Sequence, residues 1–89
     1  MAKNHKKRLS AFAEAVLADH RKAPEKPFYD LDLLGSSFSG SMLEKLDRAY
    51  QELEEADLVE RSGRFVRYFD DIKALYVLSK RARGQVKAA

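Results

Sequence analysis

Three arginines, Arg61, Arg64 and Arg67, stand at steps of three around Ser62-Gly63. A guanidinium offers a planar fork of donors that grips phosphate bidentately, and it also suits a narrow minor groove, where the negative potential of DNA is deepened. Three together point to a nucleic-acid backbone. Taken singly, each reads equally as a solvated strand residue paired with Glu60 or Asp70, because an exposed ion pair contributes only ~0 to 1 kcal/mol. A second group lies upstream: Lys45 and Arg48 can reach guanine O6 and N7, Glu44 can accept from cytosine N4, and Ser39 or Ser41 can donate to phosphate. The competing reading of Glu44 and Arg48 is an i,i+4 pair that supports a helix by ~0.2 to 0.5 kcal/mol and reads no base. Lys6, Lys7 and Arg8, with Lys3 and His5, form a basic start that could lie along a groove or act as a solubilising tail. Lys80, Arg81, Arg83 and Lys87 at the other end share that ambiguity, since cations also favour the C-terminal end of a helix dipole.

The charges are segregated. Residues 1–26 carry seven Lys/Arg against three Asp/Glu, residues 27–57 two against eight, and residues 58–89 eight against three, for a net charge of +3. Positive charge thus gathers in the N-terminal arm, in a candidate hairpin and in the C-terminal tail, parts of a chain that commonly meet phosphates. Any such contact would weaken steeply with salt.

Other chemistries find little footing. With no cysteine there is no disulfide, thiolate nucleophile or Cys-based zinc site, which agrees with a reducing compartment. The histidines are His5, in the arm, and His20, beside Asp19, Arg21 and Lys22, where a charged or capping role is expected. Asp30 with Asp32 and Asp70 with Asp71 are close carboxylates, each pair at an expected helix start, where acidic residues are favoured structurally. Gly35, Gly40, Gly63 and Gly84 lack the spacing of a phosphate loop. We therefore expect no enzyme, no cofactor and no metal site. The run Ala11 to Ala18 follows a basic start, but Glu14 interrupts it and it is far too short to span a membrane, so a cytoplasmic protein without a membrane partner is expected.

Each candidate residue needs an element to present it. Met42, Leu46, Ala49, Leu53 and Ala56 recur at steps of three and four, widened by Leu43 and Tyr50, and predict a helix over 40–56 capped by Ser39 or Ser41. Its outward face offers Ser41, Glu44, Lys45, Arg48 and Glu52. Ahead of it, Leu9, Phe12, Ala13, Val16 and Leu17 predict a helix over about 9–22, ended by Pro24 and Pro27. Phe28-Tyr29 is then expected to be extended, leading into a short helix over about 29–35 that Gly35 caps. Residues 58–69 predict a hairpin turning at Ser62-Gly63. For the last part, Ile72, Leu75, Tyr76 and Ser79 favour a helix over about 71–83, although the continuous apolar run Ala74 to Leu78 equally fits a strand. Eighty-nine residues suit one domain, here 9–83, with an arm over 1–8 and a tail over 84–89.

The succession from Asp30 to Phe69 of apolar segment, Ser-rich break (Ser36, Ser37, Phe38, Ser39), amphipathic helix and hairpin resembles the winged helix-turn-helix regulators of bacteria and archaea, such as the MarR, PadR and ArsR groups. Their third helix commonly closes in a Leu-x-x-x-Gly-Leu-Val-x-Arg phrase, and Leu53, Glu54, Glu55, Ala56, Asp57, Leu58, Val59, Glu60, Arg61 is similar to it. Asp57 stands where Gly is usual, so the helix must end without a left-handed glycine or with aspartate in that conformation. The resemblance implies a mostly α fold with a small β-hairpin: a three-helix core, a wing and a C-terminal helix. It further implies a homodimer built from the first and last helices, the equal alternative being that the last helix simply completes the domain core, and binding to double-stranded DNA with the third helix in the major groove and the wing arginines on the backbone or minor groove. A winged-helix protein-interaction module using the acidic surface of residues 44–57 is the alternative, motivated by Glu52, Glu54, Glu55 and Asp57.

Overall fold

The first helix, α1 (Ala11–Lys22), starts where Ser10 stops being helical: its hydroxyl accepts from the Ala13 amide at 3.1 Å, leaving Leu9 outside to pack partly buried against the core. Ala13, Val16, Leu17 and His20 face inward along α1. The structure is a computed structural model that describes residues 9–37, 39–68 and 70–88, the side chains of 37, 68 and 85–88 excepted.

After α1 the chain is extended at Phe28, whose amide and carbonyl both pair with Tyr76 at 2.9 Å. Tyr29 and Asp30 are then fastened to the next helix through their side chain and amide respectively. That anchoring consumes the residues with which an α-helix over 29–35 would begin. The chain instead makes two three-residue 3-10 turns, Leu31–Leu33 and Gly35–Ser37, with Gly35 at φ +55 opening the second, so the expected second helix is corrected to a pair of tight turns.

Helix α2 (Gly40–Glu55) is capped by Ser39, whose hydroxyl accepts from the Met42 amide at 3.3 Å. Leu46, Ala49, Tyr50 and Leu53 are its buried stripe. At its end the Asp57 amide donates to the Glu54 carbonyl at 3.0 Å and the Leu58 amide to the Leu53 carbonyl at 2.9 Å, with Asp57 at φ 61. These are the paired bonds of a Schellman close, with aspartate in the left-handed position that glycine usually fills.

Two strands complete the sheet, β1 (Val59–Tyr68) and β2 (Asp71–Leu78), antiparallel and in register from Val59 opposite Leu78 to Tyr68 opposite Asp71. Two expectations are corrected here. The chain does not reverse at Ser62-Gly63; β1 runs through them, and the register shifts between Arg61 and Phe65. Three residues of β1 bulge against Leu75, whose carbonyl accepts from the Ser62 hydroxyl at 2.8 Å while that hydroxyl accepts from the Arg64 amide at 3.2 Å. Gly63, at φ 92, supplies the positive φ that a bulge requires just as a tight turn does. Nor does a helix span 71–83. Residues 71–78 are the partner that a ten-residue β1 needs for its backbone groups. Helix α3 (Lys80–Ala88) begins only after Ser79, whose hydroxyl accepts from the Ala82 amide at 3.1 Å and donates to the Asp57 carbonyl at 2.7 Å. It extends into the residues expected to be a tail.

Helices and one antiparallel hairpin thus make an α+β fold, with β2 flanked by β1 and by Phe28. The core gathers Val16, Leu46, Leu53, Val59 and Leu78, with Ala82 of α3 closing one end.

Candidate functional site

On α2, Ser41, Lys45 and Arg48 are exposed. At 100° per residue they share one strip of its outward face. The flank of α2 toward the hairpin is marked by Asp47 and Glu54, which take Lys73 at 2.8 Å and Arg61 at 3.3 Å. Exposed Glu44, Gln51 and Glu55 lie between that flank and the basic strip. Ser39 sits at the head of the helix, its hydroxyl engaged as the cap and 3.4 Å from that of Ser41.

The arginines of the hairpin separate into two kinds. Arg61, before the bulge, is held beside Glu54 and Tyr76, which together raise its affinity for its proton, Tyr76 contributing most. Arg64 and Arg67, in and beyond the bulge, are exposed, and among the described residues no ion pair involves either. Arg64 directly precedes Phe65 and Arg67 stands opposite Ile72; Phe65 and Ile72 are the two large apolar side chains left exposed among the described residues, at 63% and 59%. The structure therefore brings together Ser39, Ser41, Lys45 and Arg48 on one element and Arg64 with Arg67 on another. Arg61 stands apart from both. Lys6, Lys7 and Arg8 lie outside the described residues.

Internal contacts also thin the acidic surface of residues 44–57. Asp47 is taken by Lys73, Glu54 by Arg61, and Glu52 accepts from the Ser10 amide at 2.9 Å. Burial alone would lower the Lys73 ammonium, but Asp47 and Asp71 outweigh it and hold it above its ordinary value. No Glu44–Arg48 pair is present among the described residues, and Glu60 takes Arg83 at 3.7 Å rather than an arginine of its own strand.

A polar network that the sequence did not reveal runs behind this surface. Tyr50 stacks between Tyr29 and Tyr76, with ring centres 5.0 and 4.3 Å away, and the Tyr29 hydroxyl donates to Asp47. The Tyr50 hydroxyl accepts from the Asp30 amide at 2.9 Å and meets His20 Nε2 at 2.7 Å. His20, expected to be charged or capping, is instead completely buried and stacked on Phe28 at 3.9 Å. Burial, only partly opposed by Asp19, lowers it to about 4, so it is neutral. Asp30, expected at an exposed helix start, is 5% exposed; burial first, then its Asp19 neighbour, push its carboxyl up to about 7. The signal that could have found both is Tyr50, a hydroxyl-bearing residue in the middle of an apolar stripe, which must find polar partners once buried.

Among the described residues, no group of three or more His, Cys, Asp or Glu is placed to hold a metal ion, and no helix is long and apolar enough to cross a membrane. No family model matches the chain, and neither a curated protein nor a solved structure matches it.

Proposed function

We propose that this chain is a small double-stranded DNA-binding regulator of winged-helix type. The N-terminal half of α2 enters the major groove, and Arg64 and Arg67 of the hairpin lie on the backbone or in the adjacent minor groove. The observation that carries the reading is which cations the fold leaves over. Arg61 and Lys73 are spent on α2 carboxylates, whereas Lys45 and Arg48 on α2 and Arg64 and Arg67 on the hairpin point outward without such partners among the described residues. The element order supports it in part: a helix, an extended residue paired with β2, a long helix and a hairpin resemble the winged-helix succession, although two 3-10 turns stand where its second helix would be. The acidic-docking alternative has lost Asp47, Glu52 and Glu54 to internal contacts.

Fluorescence anisotropy on a random-sequence duplex tests the proposal. Binding is expected at ~50 mM salt, with affinity falling as a power of salt concentration toward ~200 mM. Replacing Lys45 and Arg48 together by alanine should weaken binding, with the salt dependence flattening by about 0.9 only for each of them that neutralises a phosphate instead of reading a base edge. Absence of binding at the lower salt would overturn the reading. The homodimer that accompanies it is tested by light scattering on the purified chain, and a monomer at high concentration would remove the dimer while leaving the DNA reading standing.

A further inference from the structure

The face of β2 that begins in the core ends in solvent. Alternate residues pass from buried Leu78 and Tyr76 through partly buried Ala74 to exposed Ile72, and the register sets Phe65 opposite Ala74 and Arg67 opposite Ile72. Opposite residues share a face of an antiparallel ladder, so Phe65, Arg67 and Ile72 form one exposed patch, with Arg64 directly before it in the chain. The hairpin also runs beside α2 toward the N-terminal half of that helix: Arg61 meets Glu54, and farther along, Lys73, opposite Val66, meets Asp47. From Glu54 back to Asp47 is roughly 10 Å along the helix, which brings the patch level with the part of α2 that carries Lys45 and Arg48.

Size and charge narrow what can cover this patch. Two side chains offer at most roughly 400 Å², well short of the ~800 Å² that each partner buries in a stable protein dimer, and a second copy laid face to face would set Arg64 and Arg67 against their own equivalents. The carboxylates near the tip do not reverse the sign: Asp71 is held by Lys73 at 3.2 Å, and Asp70 lies in the turn beyond the last ladder pair, Tyr68 with Asp71. The occupant that fits is anionic at its edges and apolar between them, as a duplex opened at one base step is, with phosphates outside and base faces within. We propose that Phe65, backed by Ile72, is a wedge that enters the minor groove of the bound duplex and partly unstacks one base step, while Arg64 and Arg67 hold the flanking phosphates. The wedge rests on the DNA reading and adds a bend to it. An apolar wedge in the minor groove kinks a duplex by roughly 20 to 90° toward the major groove, which is the groove that α2 occupies in that reading. Pyrimidine–purine steps such as TA unstack most readily, so the hairpin selects deformable sequence without a hydrogen bond to any base.

Two readouts on the full chain separate the wedge from the DNA reading: fluorescence anisotropy of a labelled duplex for binding, and energy transfer between dyes at the two ends of a short duplex with a central TA step for bending, both at ~50 mM salt. At saturation, energy transfer should rise above that of the free duplex. A duplex already unstacked by a central mismatch should bind at least about tenfold tighter than its matched parent, since one step is open beforehand. Phe65→Ala should abolish both the rise and the mismatch preference while weakening matched-duplex binding only several-fold, whereas Phe65→Leu, still an apolar wedge, should keep both. Because Phe65 is 63% exposed, neither substitution disturbs the fold. Duplex binding that Arg64→Ala with Arg67→Ala weakens, but with no bend or with an equal bend in Phe65→Ala, overturns the wedge and leaves the DNA reading standing. Absence of binding to either duplex overturns both.

Discussion

The two halves of the hairpin are made from one continuous pair of strands and obey different rules. Before the bulge, Val59, Tyr76 and Leu78 are buried, and Arg61 is drawn onto α2. Beyond it, Phe65, Ile72, Arg64 and Arg67 stand in solvent. The change occurs within three residues, where Ser62 satisfies the Leu75 carbonyl that a regular ladder would have paired. A single strand can thus be core at one end and a projecting arm at the other, and arginines at identical spacing acquire different work. Truncation should expose this contrast most strongly. Leu78→Ala is expected to cost about 2 to 5 kcal/mol in urea denaturation, as removal of a fully buried leucine does, whereas Phe65→Ala should change stability by no more than about 0.5 kcal/mol. Comparable losses at both positions would mean that the distal half is covered in solution, as by a second copy.

The pair behind the surface sharpens the distinction by pH. Asp30 rises from 3.8 to about 7 on folding, so its contribution is fully present at low pH and is lost as pH climbs to 7. His20 falls from 6.5 to about 4, so its contribution is present above 6.5 and is lost as pH drops to 4. Between about 4 and 6.5 folding therefore takes a proton onto Asp30 and releases one from His20, and the two effects oppose each other. Stability of the unmodified chain should be nearly flat over that interval. With Asp30→Asn it should fall on acidification, and with His20→Leu it should rise, each by up to ~1.4 kcal/mol per pH unit. The slope is the readout, because either substitution also shifts the baseline. Parallel slopes in the two variants would show that the groups do not titrate as this geometry requires.

Ligand binding divides the arginines the same way. Arg64→Ala with Arg67→Ala should lower the salt dependence of duplex binding by about 1.8, while Arg61→Ala should leave it unchanged, since that side chain is committed to Glu54. An equal effect at Arg61 would place the contact surface on the proximal half instead.

The same unevenness marks what the sequence made legible. Helix α2 was readable because its stripe, its serine cap and its length agree with one another. The existence of a hairpin was readable too, but not where it turned, since Ser62-Gly63 offers the same positive φ to a bulge as to a two-residue turn. The run Ala74 to Leu78 carries no period that separates strand from helix, and only the unpaired backbone of β1 decides it. Local pattern is silent on the partners of Arg61 and on the burial of His20 and Asp30, because those depend on Glu54, Tyr50 and Asp19, residues that only the folded chain brings near. In the candidate site, the serines, Lys45, Arg48, Arg64 and Arg67 could be named in advance, but which cations would be left outward depended on pairings across the fold.

The smallest expected effect concerns Asp57, where the sequence posed a choice between two ways of ending α2. Aspartate occupies the left-handed region at φ 61, and its carboxylate sits at the negative end of the helix dipole. The bonds that close the helix and the hydrogen bond from Ser79 all use backbone atoms of Asp57 and its neighbours, which glycine keeps. Asp57→Gly removes the steric cost of a Cβ in that region and the unfavourable charge, while adding about 0.5 to 1 kcal/mol of unfolded-chain entropy. The balance should be a gain of about 0.5 to 1 kcal/mol, raising Tm by a few degrees, with duplex binding untouched. A loss of stability instead would mean that the Asp57 carboxylate holds a partner of its own, and would make this helix end a feature particular to this chain rather than a tolerated substitute for glycine.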